Sequence, residues 1–84
     1  MKSVRFSAHA CMNIARRGAT ENEVRDAIET AKWEQAKGSR YECKKDYEFG
    51  CEWNGRWYAT KQVRPIFAQE DGGIVVVTVY VYYY

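Results

Sequence analysis

The sequence predicts an α+β fold in which two N-terminal helices pack on one face of a curved antiparallel sheet of three to four strands. Three observations carry that expectation. Apolar residues recur with helical spacing in the first third of the chain, strict alternation begins near Arg40, and two hairpin signals, Asn54-Gly55 and Asp71-Gly72-Gly73, divide the alternating half into strands.

A short strand is expected at Ser3 to Phe6. Ser7 then offers its hydroxyl as the N-cap of a first helix that runs to about Arg17, with Gly18 supplying a left-handed C-terminal position. Thr20 opens a second helix, and Glu23 three residues later completes a capping box. Val24, Ala27, Ile28 and Ala31 form its buried stripe, while Glu21, Arg25 and Glu29 pair along the outside. After Trp33 the chain turns polar through Lys37-Gly38-Ser39. Tyr47, Phe49, Cys51 and Trp53 then alternate with Asp46, Glu48, Gly50 and Glu52. Asn54-Gly55 predicts a type I′ turn into a strand from Arg56 to about Phe67, in which Pro65, lacking an amide donor, marks a bulge or an edge. The last strand is expected to show Val75, Val77, Val79 and Val81 on one face and Ile74, Val76, Thr78, Tyr80 and Tyr82 on the other.

With 84 residues the chain is read as one domain, residues 1–84, and 46% hydrophobic residues with a single proline are enough for a packed core. The opening Met1-Lys2-Ser3-Val4-Arg5 lacks the apolar segment of a secretory signal, and the longest apolar run, Ile74 to Tyr84, is about half the length of a spanning helix. Cys11, Cys43 and Cys51 are odd in number and contain no CxxC pair, which argues against a disulfide framework and a zinc knuckle. The expectation is a cytoplasmic protein with no membrane partner, no metal and no cofactor.

The net charge of +2 is small but segregated. Lys2, Arg5, Arg16 and Arg17 stand in the first twenty residues without an acid, whereas residues 21–34 carry five acids against Arg25 and Lys32. Such segregation can place a basic face toward a polyanion.

His9, the only histidine, falls in the first turn of the first helix, where free amides and the helix dipole favour a bound anion. Asn13 and Arg16 or Arg17 follow at steps of three and four, so they are read as a polar stripe with His9, leaving Ala8, Cys11, Met12 and Ala15 as the stripe to be buried. Lys61, on a face with Trp57, Ala59 and Val63, is expected to lay its stem on apolar neighbours with its ammonium emerging. Arg64 on the same strand, with Thr78 and Tyr80 on the next, adds bases beside aromatic rings. Single-stranded RNA suits that mixture, since phosphates take the charge and unstacked bases take the rings. Glu42, Asp46, Glu48 and Glu52 form an acidic strand face, read as a solvated edge rather than a metal site.

The blocks Phe6-Ser7-Ala8-His9-Ala10 and Arg16-Arg17-Gly18-Ala19-Thr20-Glu21-Asn22-Glu23-Val24, followed by Val76-Val77-Thr78-Val79-Tyr80, resemble the small bacterial domain-of-unknown-function 4258 family. That family is grouped with the RelE and BrnT type toxins, so the resemblance implies a RelE-like fold, metal-independent endoribonuclease activity, RNA as substrate and an antitoxin protein as partner. On the residues that match, it carries over His9, Arg17-Gly18 and Thr78-Val79. The catalytic set read from both sources is His9 as general acid or base, with Arg17, Lys61 and Tyr80; Asn13, Arg16, Arg64 and Thr78 would bind RNA. The rival expectation is a noncatalytic protein-interaction module that forms a homodimer through its last strand.

Overall fold

The structure, a computed structural model, describes residues 3–84; Met1 and Lys2, the start of the opening segment, lie outside the described residues. Its elements run β1 (Ser3–Phe6), α1 (Ala8–Arg17), α2 (Glu21–Thr30), β2 (Glu34–Gln35), β3 (Tyr41–Glu42), β4 (Lys45–Trp53), β5 (Arg56–Glu70) and β6 (Gly73–Tyr83).

Both helices begin and end for local reasons. Ser7 Oγ accepts the Ala10 amide at 3.0 Å, and Gly18, at φ 78°, closes α1 by donating its own amide to Ile14. The capping box of α2 is complete, with Thr20 Oγ1 accepting the Glu23 amide and Glu23 Oε1 accepting the Thr20 amide. No glycine ends α2. Ala31 turns extended instead, and Trp33 Nε1 donates to the carbonyl of Ile28 at 2.7 Å, which satisfies one of the oxygens a helix end leaves unpaired.

The sheet corrects the expected one. It has six strands, not three to four, and is mixed and open, with order β1-β6-β5-β3-β2 and β4 beside β5. Strands hold 52% of the residues and helices 24%, so the sheet outweighs the helical layer rather than matching it. Two physical causes account for the difference. First, β1 joins in parallel to β6, Ser3 against Gly73 through Phe6 against Val76, because α1 carries the chain away across the sheet instead of turning it back in a hairpin. Second, β2 adds an outer strand on β3, and the ladder that β3 and β4 make on β5 is interrupted opposite Pro65. The Cys43 amide donates to the Pro65 carbonyl, but proline has no amide to return the bond. The register is the same on either side of that break, Glu42 against Ile66 and Lys45 against Val63.

Two further irregularities decide which side chains face the helices. Ile66 pairs with Thr78 but Phe67 pairs with Val76, so Val77 is an extra residue in β6. The expected two-faced alternation of β6 therefore switches there: Ile74 and Val76 before the bulge share the buried side with Val79 after it. A second shift lies between Glu48 and Cys51, where Gly50 adopts φ 59°.

The core joins Ala10 and Ile14 of α1, Val24, Ala27 and Ile28 of α2, and Val63, Phe67, Ile74, Val76 and Val79 of the sheet. Trp33 meets the Phe67 ring edge-on at 4.9 Å. The buried face of α1 is not the one expected: Ala10, Asn13 and Ile14 are buried, while Ala8, Cys11, Met12 and Ala15 are exposed. The reason is the β6 edge. β1 covers β6 only as far as Val76, and beyond it the polar residues of α1 take over the edge. The Ser7 amide donates to Val76, Ser7 Oγ to the Val77 carbonyl at 3.0 Å, and Arg17 Nη1 to the Val79 carbonyl at 2.7 Å. Asn13 Oδ1 accepts Thr78 Oγ1 and the Val79 amide.

Candidate nucleic-acid interface

One face of the sheet carries the helices; the other is open. Across the open face the register aligns Asp46, Gln62 and Tyr82 in one row, and Arg64 with Tyr80 in the next. Tyr80 and Tyr82, two residues apart on one strand, project from the same side, 40% and 45% exposed, with rings 19° from parallel. Arg17 reaches this row from the end of α1, its guanidinium 5.3 Å from the centre of the Tyr80 ring.

Beside Tyr80 the β2–β3 turn folds over the sheet to form a cleft of about 600 Å³. Ile66 and Thr78 lie on its sheet side, Tyr80 and Glu42 line it, and Lys37 and Arg40 belong to the turn. Gly38, at φ 72°, lets the turn close. Arg64 donates through both Nε and Nη2 to Glu42 Oε2, and that pairing raises the Arg64 pKa further and fixes the carboxylate. Glu42 Oε1 has no protein partner among the described residues.

The residues singled out from the sequence divide into three groups. Arg17, Tyr80, Thr78 and Arg64 meet on or beside the open face, and Asn13 is joined to it through Thr78. Lys61 does not. It is 8% exposed on the helix side, where its ammonium sits 2.9 Å from Glu23 Oε2, donates to the Gly18 carbonyl at 3.0 Å and lies over Phe49. The expected emergence of that ammonium is thus corrected, because the ends of both helices converge on it. His9 and Arg16 are exposed on α1, and neither side chain takes part in the hydrogen bonds or ion pairs that join the others among the described residues. Along the helix, His9 and Arg17 are separated by about 12 Å at 1.5 Å per residue.

Lys37, Arg40 and the Glu42–Arg64 pair were missed as a unit. Two bases flanking Gly38-Ser39 were the available signal, but only the fold brings that turn over Tyr80. Of the acidic row, Glu42 lines the cleft with Tyr80, while Asp46 and Glu48 stand on β4, across β5 from Tyr80 and Tyr82. Asp46 accepts Gln62 Nε2 at 2.9 Å and the Tyr84 hydroxyl, bonds that lower its pKa, Tyr84 first. Among the described residues no group of three or more His, Cys, Asp or Glu side chains is placed to hold a metal ion, and no helix is long and apolar enough to cross a membrane.

What these features define is a small α+β domain with a mixed six-stranded sheet and one uncovered, aromatic face. Comparison with family models, with curated proteins and with solved structures finds no match to this chain.

Proposed function

We propose that this chain binds single-stranded RNA on its open sheet face. The observation that carries the reading is the near-parallel pair Tyr80 and Tyr82, exposed beside Arg17 and the basic turn Lys37 to Arg40. Rings of that kind take unstacked bases, and the guanidinium and ammonium groups take the phosphates between them.

Cleavage, which the resemblance to RelE and BrnT type toxins implies, draws less support than binding. It needs an acid or base within hydrogen-bond reach of a phosphate held by Arg17, whereas His9 and Arg17 stand at opposite ends of α1. A dimer through the last strand is also disfavoured, since the carbonyls of Val76, Val77 and Val79 already accept bonds from Ser7 and Arg17.

Fluorescence anisotropy with labelled single-stranded RNA, at two salt concentrations and in chelator, tests the proposal. Affinity that falls with salt, and falls by about tenfold in Tyr80→Ala, agrees with it. Absence of binding at low salt, or binding unchanged in Tyr80→Ala and Tyr82→Ala together, overturns it.

A further inference from the structure

We infer that the cleft beside Tyr80 is a base-selective subsite, and that the base it selects is guanine. This rests on the RNA-binding reading and adds to it a substrate preference.

The cleft volume falls within the range of small-ligand pockets, about 300 to 1,000 Å³. Its lining is unlike the rest of the open face. Ile66 and the ring of Tyr80 offer flat apolar contact for a base, while Lys37 and Arg40 stand in the turn where the phosphates of a bound nucleotide would lie. Between them is a carboxylate, a group that would repel RNA unless it met a donor. Glu42 is held there at 19% side-chain exposure by both nitrogens of Arg64 on Oε2, and among the described residues no hydrogen bond or ion pair engages its Oε1.

An ionised carboxylate can only accept hydrogen bonds. Among the four RNA bases, guanine alone presents two adjacent donors on its Watson–Crick edge, N1–H and the 2-amino group. Adenine and cytosine each place a ring-nitrogen acceptor beside their amino donor, which would face Oε1 lone pair to lone pair. Uracil sets its single N–H between two carbonyls. Oε1 can therefore accept both guanine donors but only one from any other base, so the charge-assisted bonding favours guanine. Arg64 contributes as a positioning residue: by occupying Oε2 it leaves Oε1 as the oxygen of this cleft-lining carboxylate that can accept from a base.

The test uses the full chain and short single-stranded oligonucleotides: an all-uridine octamer, the same octamer with one central guanosine, and the same with inosine, which keeps N1–H but lacks the 2-amino group. The guanosine oligomer is expected to bind about tenfold more tightly than the uridine one, with inosine in between. Glu42→Gln, checked for folding by circular dichroism, is expected to bring all three within about twofold of each other, because its amide nitrogen opposes the guanine donors. Equal binding of the three oligomers by the unaltered chain overturns the guanine subsite while RNA binding stands. Preference retained in folded Glu42→Gln overturns the role of the carboxylate. Failure of all three oligomers to bind at low salt overturns the RNA reading and the subsite with it. The inosine comparison needs no protein variant, so it decides the question even where Glu42→Gln fails to fold.

Discussion

The ammonium of Lys61 on β5 lies 2.9 Å from Oε2 of Glu23 on α2, and the same Glu23 uses Oε1 to cap the Thr20 amide. With the bond from Lys61 to the Gly18 carbonyl, one side chain of the sheet ties the end of α1 to the start of α2. Both groups are largely removed from water, so removing one partner leaves the other desolvated. Lys61→Ala is therefore expected to cost about 3 kcal/mol in urea unfolding, near the low end for a broken buried pair because Glu23 retains some solvent. Lys61→Met, which keeps the stem, is expected to cost less. The salt dependence of RNA binding should be unchanged in the folded Lys61→Met protein; a slope lower by about one would show that Lys61 contacts phosphate after all.

Gly18 is fixed by two independent requirements. Its backbone is left-handed at φ 78°, and a Cβ there would stand 2.5 Å from Tyr83 Oη and 2.7 Å from the Trp53 ring. Tyr83 cannot withdraw freely, because its hydroxyl donates to the Arg17 carbonyl at 2.6 Å and its ring stacks on Trp53 at 5.0 Å. Gly18→Ala is expected to cost about 1 kcal/mol for the backbone and 1–3 kcal/mol for the overlap, lowering Tm by about 10 °C or more. Gly72→Ala has a similar φ of 72° but open space around it, and should show only the backbone part. Equal losses in the two variants would remove the packing explanation.

Much of the helical layer was legible because its signals are local. Ser7, Gly18, Thr20 and Glu23 each act within a few residues of themselves, and Asn54-Gly55 forms its turn with both residues at positive φ. What failed was what depends on partners distant in the chain. The parallel pairing of β1 cannot be read from four residues that suit any strand. The bulge at Val77 reverses the faces of β6 with no sequence mark on that strand. Asn13 looked like a surface polar residue because nothing in α1 reveals an uncovered strand edge needing donors and acceptors. At the site, Arg17, Thr78 and Tyr80 were legible by type, whereas the cleft required knowing that Lys37 to Arg40 folds over them.

Asp26 predicts a specific acid response. Its carboxylate accepts Lys45 Nζ at 2.7 Å and the Tyr47 hydroxyl at 2.6 Å, and these bonds, Lys45 first, hold its pKa below the usual carboxylate value. Folding favours the charged form, so the stabilisation is present above the unfolded pKa of about 3.9 and is lost as pH falls through the lower folded value. Urea midpoints measured from pH 6 downward should fall less steeply for Asp26→Asn than for the unaltered chain below about pH 4. Parallel curves would show that Asp26 carries no linkage.

The three thiols should react at different rates. Cys11 and Cys51 are exposed, while Cys43 is buried at the β3–β4 break, where desolvation, helped by the charge of Glu42, pushes its pKa up to about 12. Only the thiolate is nucleophilic. Alkylation of the native protein near neutral pH should modify two cysteines readily and the third only after denaturant is added, as mass spectrometry would count. Prompt modification of Cys43 in the folded protein would mean that the break opposite Pro65 opens often.

His9 gives the sharpest division between binding and cleavage. It is exposed in the first turn of α1, so His9→Ala should change stability by no more than about 0.5 kcal/mol. On the open-face reading it should also change RNA affinity by less than about twofold, against about tenfold for Tyr80→Ala. RNA incubated with the protein in chelator should stay intact in both cases. Metal-independent cleavage that disappears in His9→Ala would instead restore the imidazole as the acid or base. It would require bound RNA to span from the tyrosine row along α1 to its first turn, where free helix amides could hold a phosphate beside the ring.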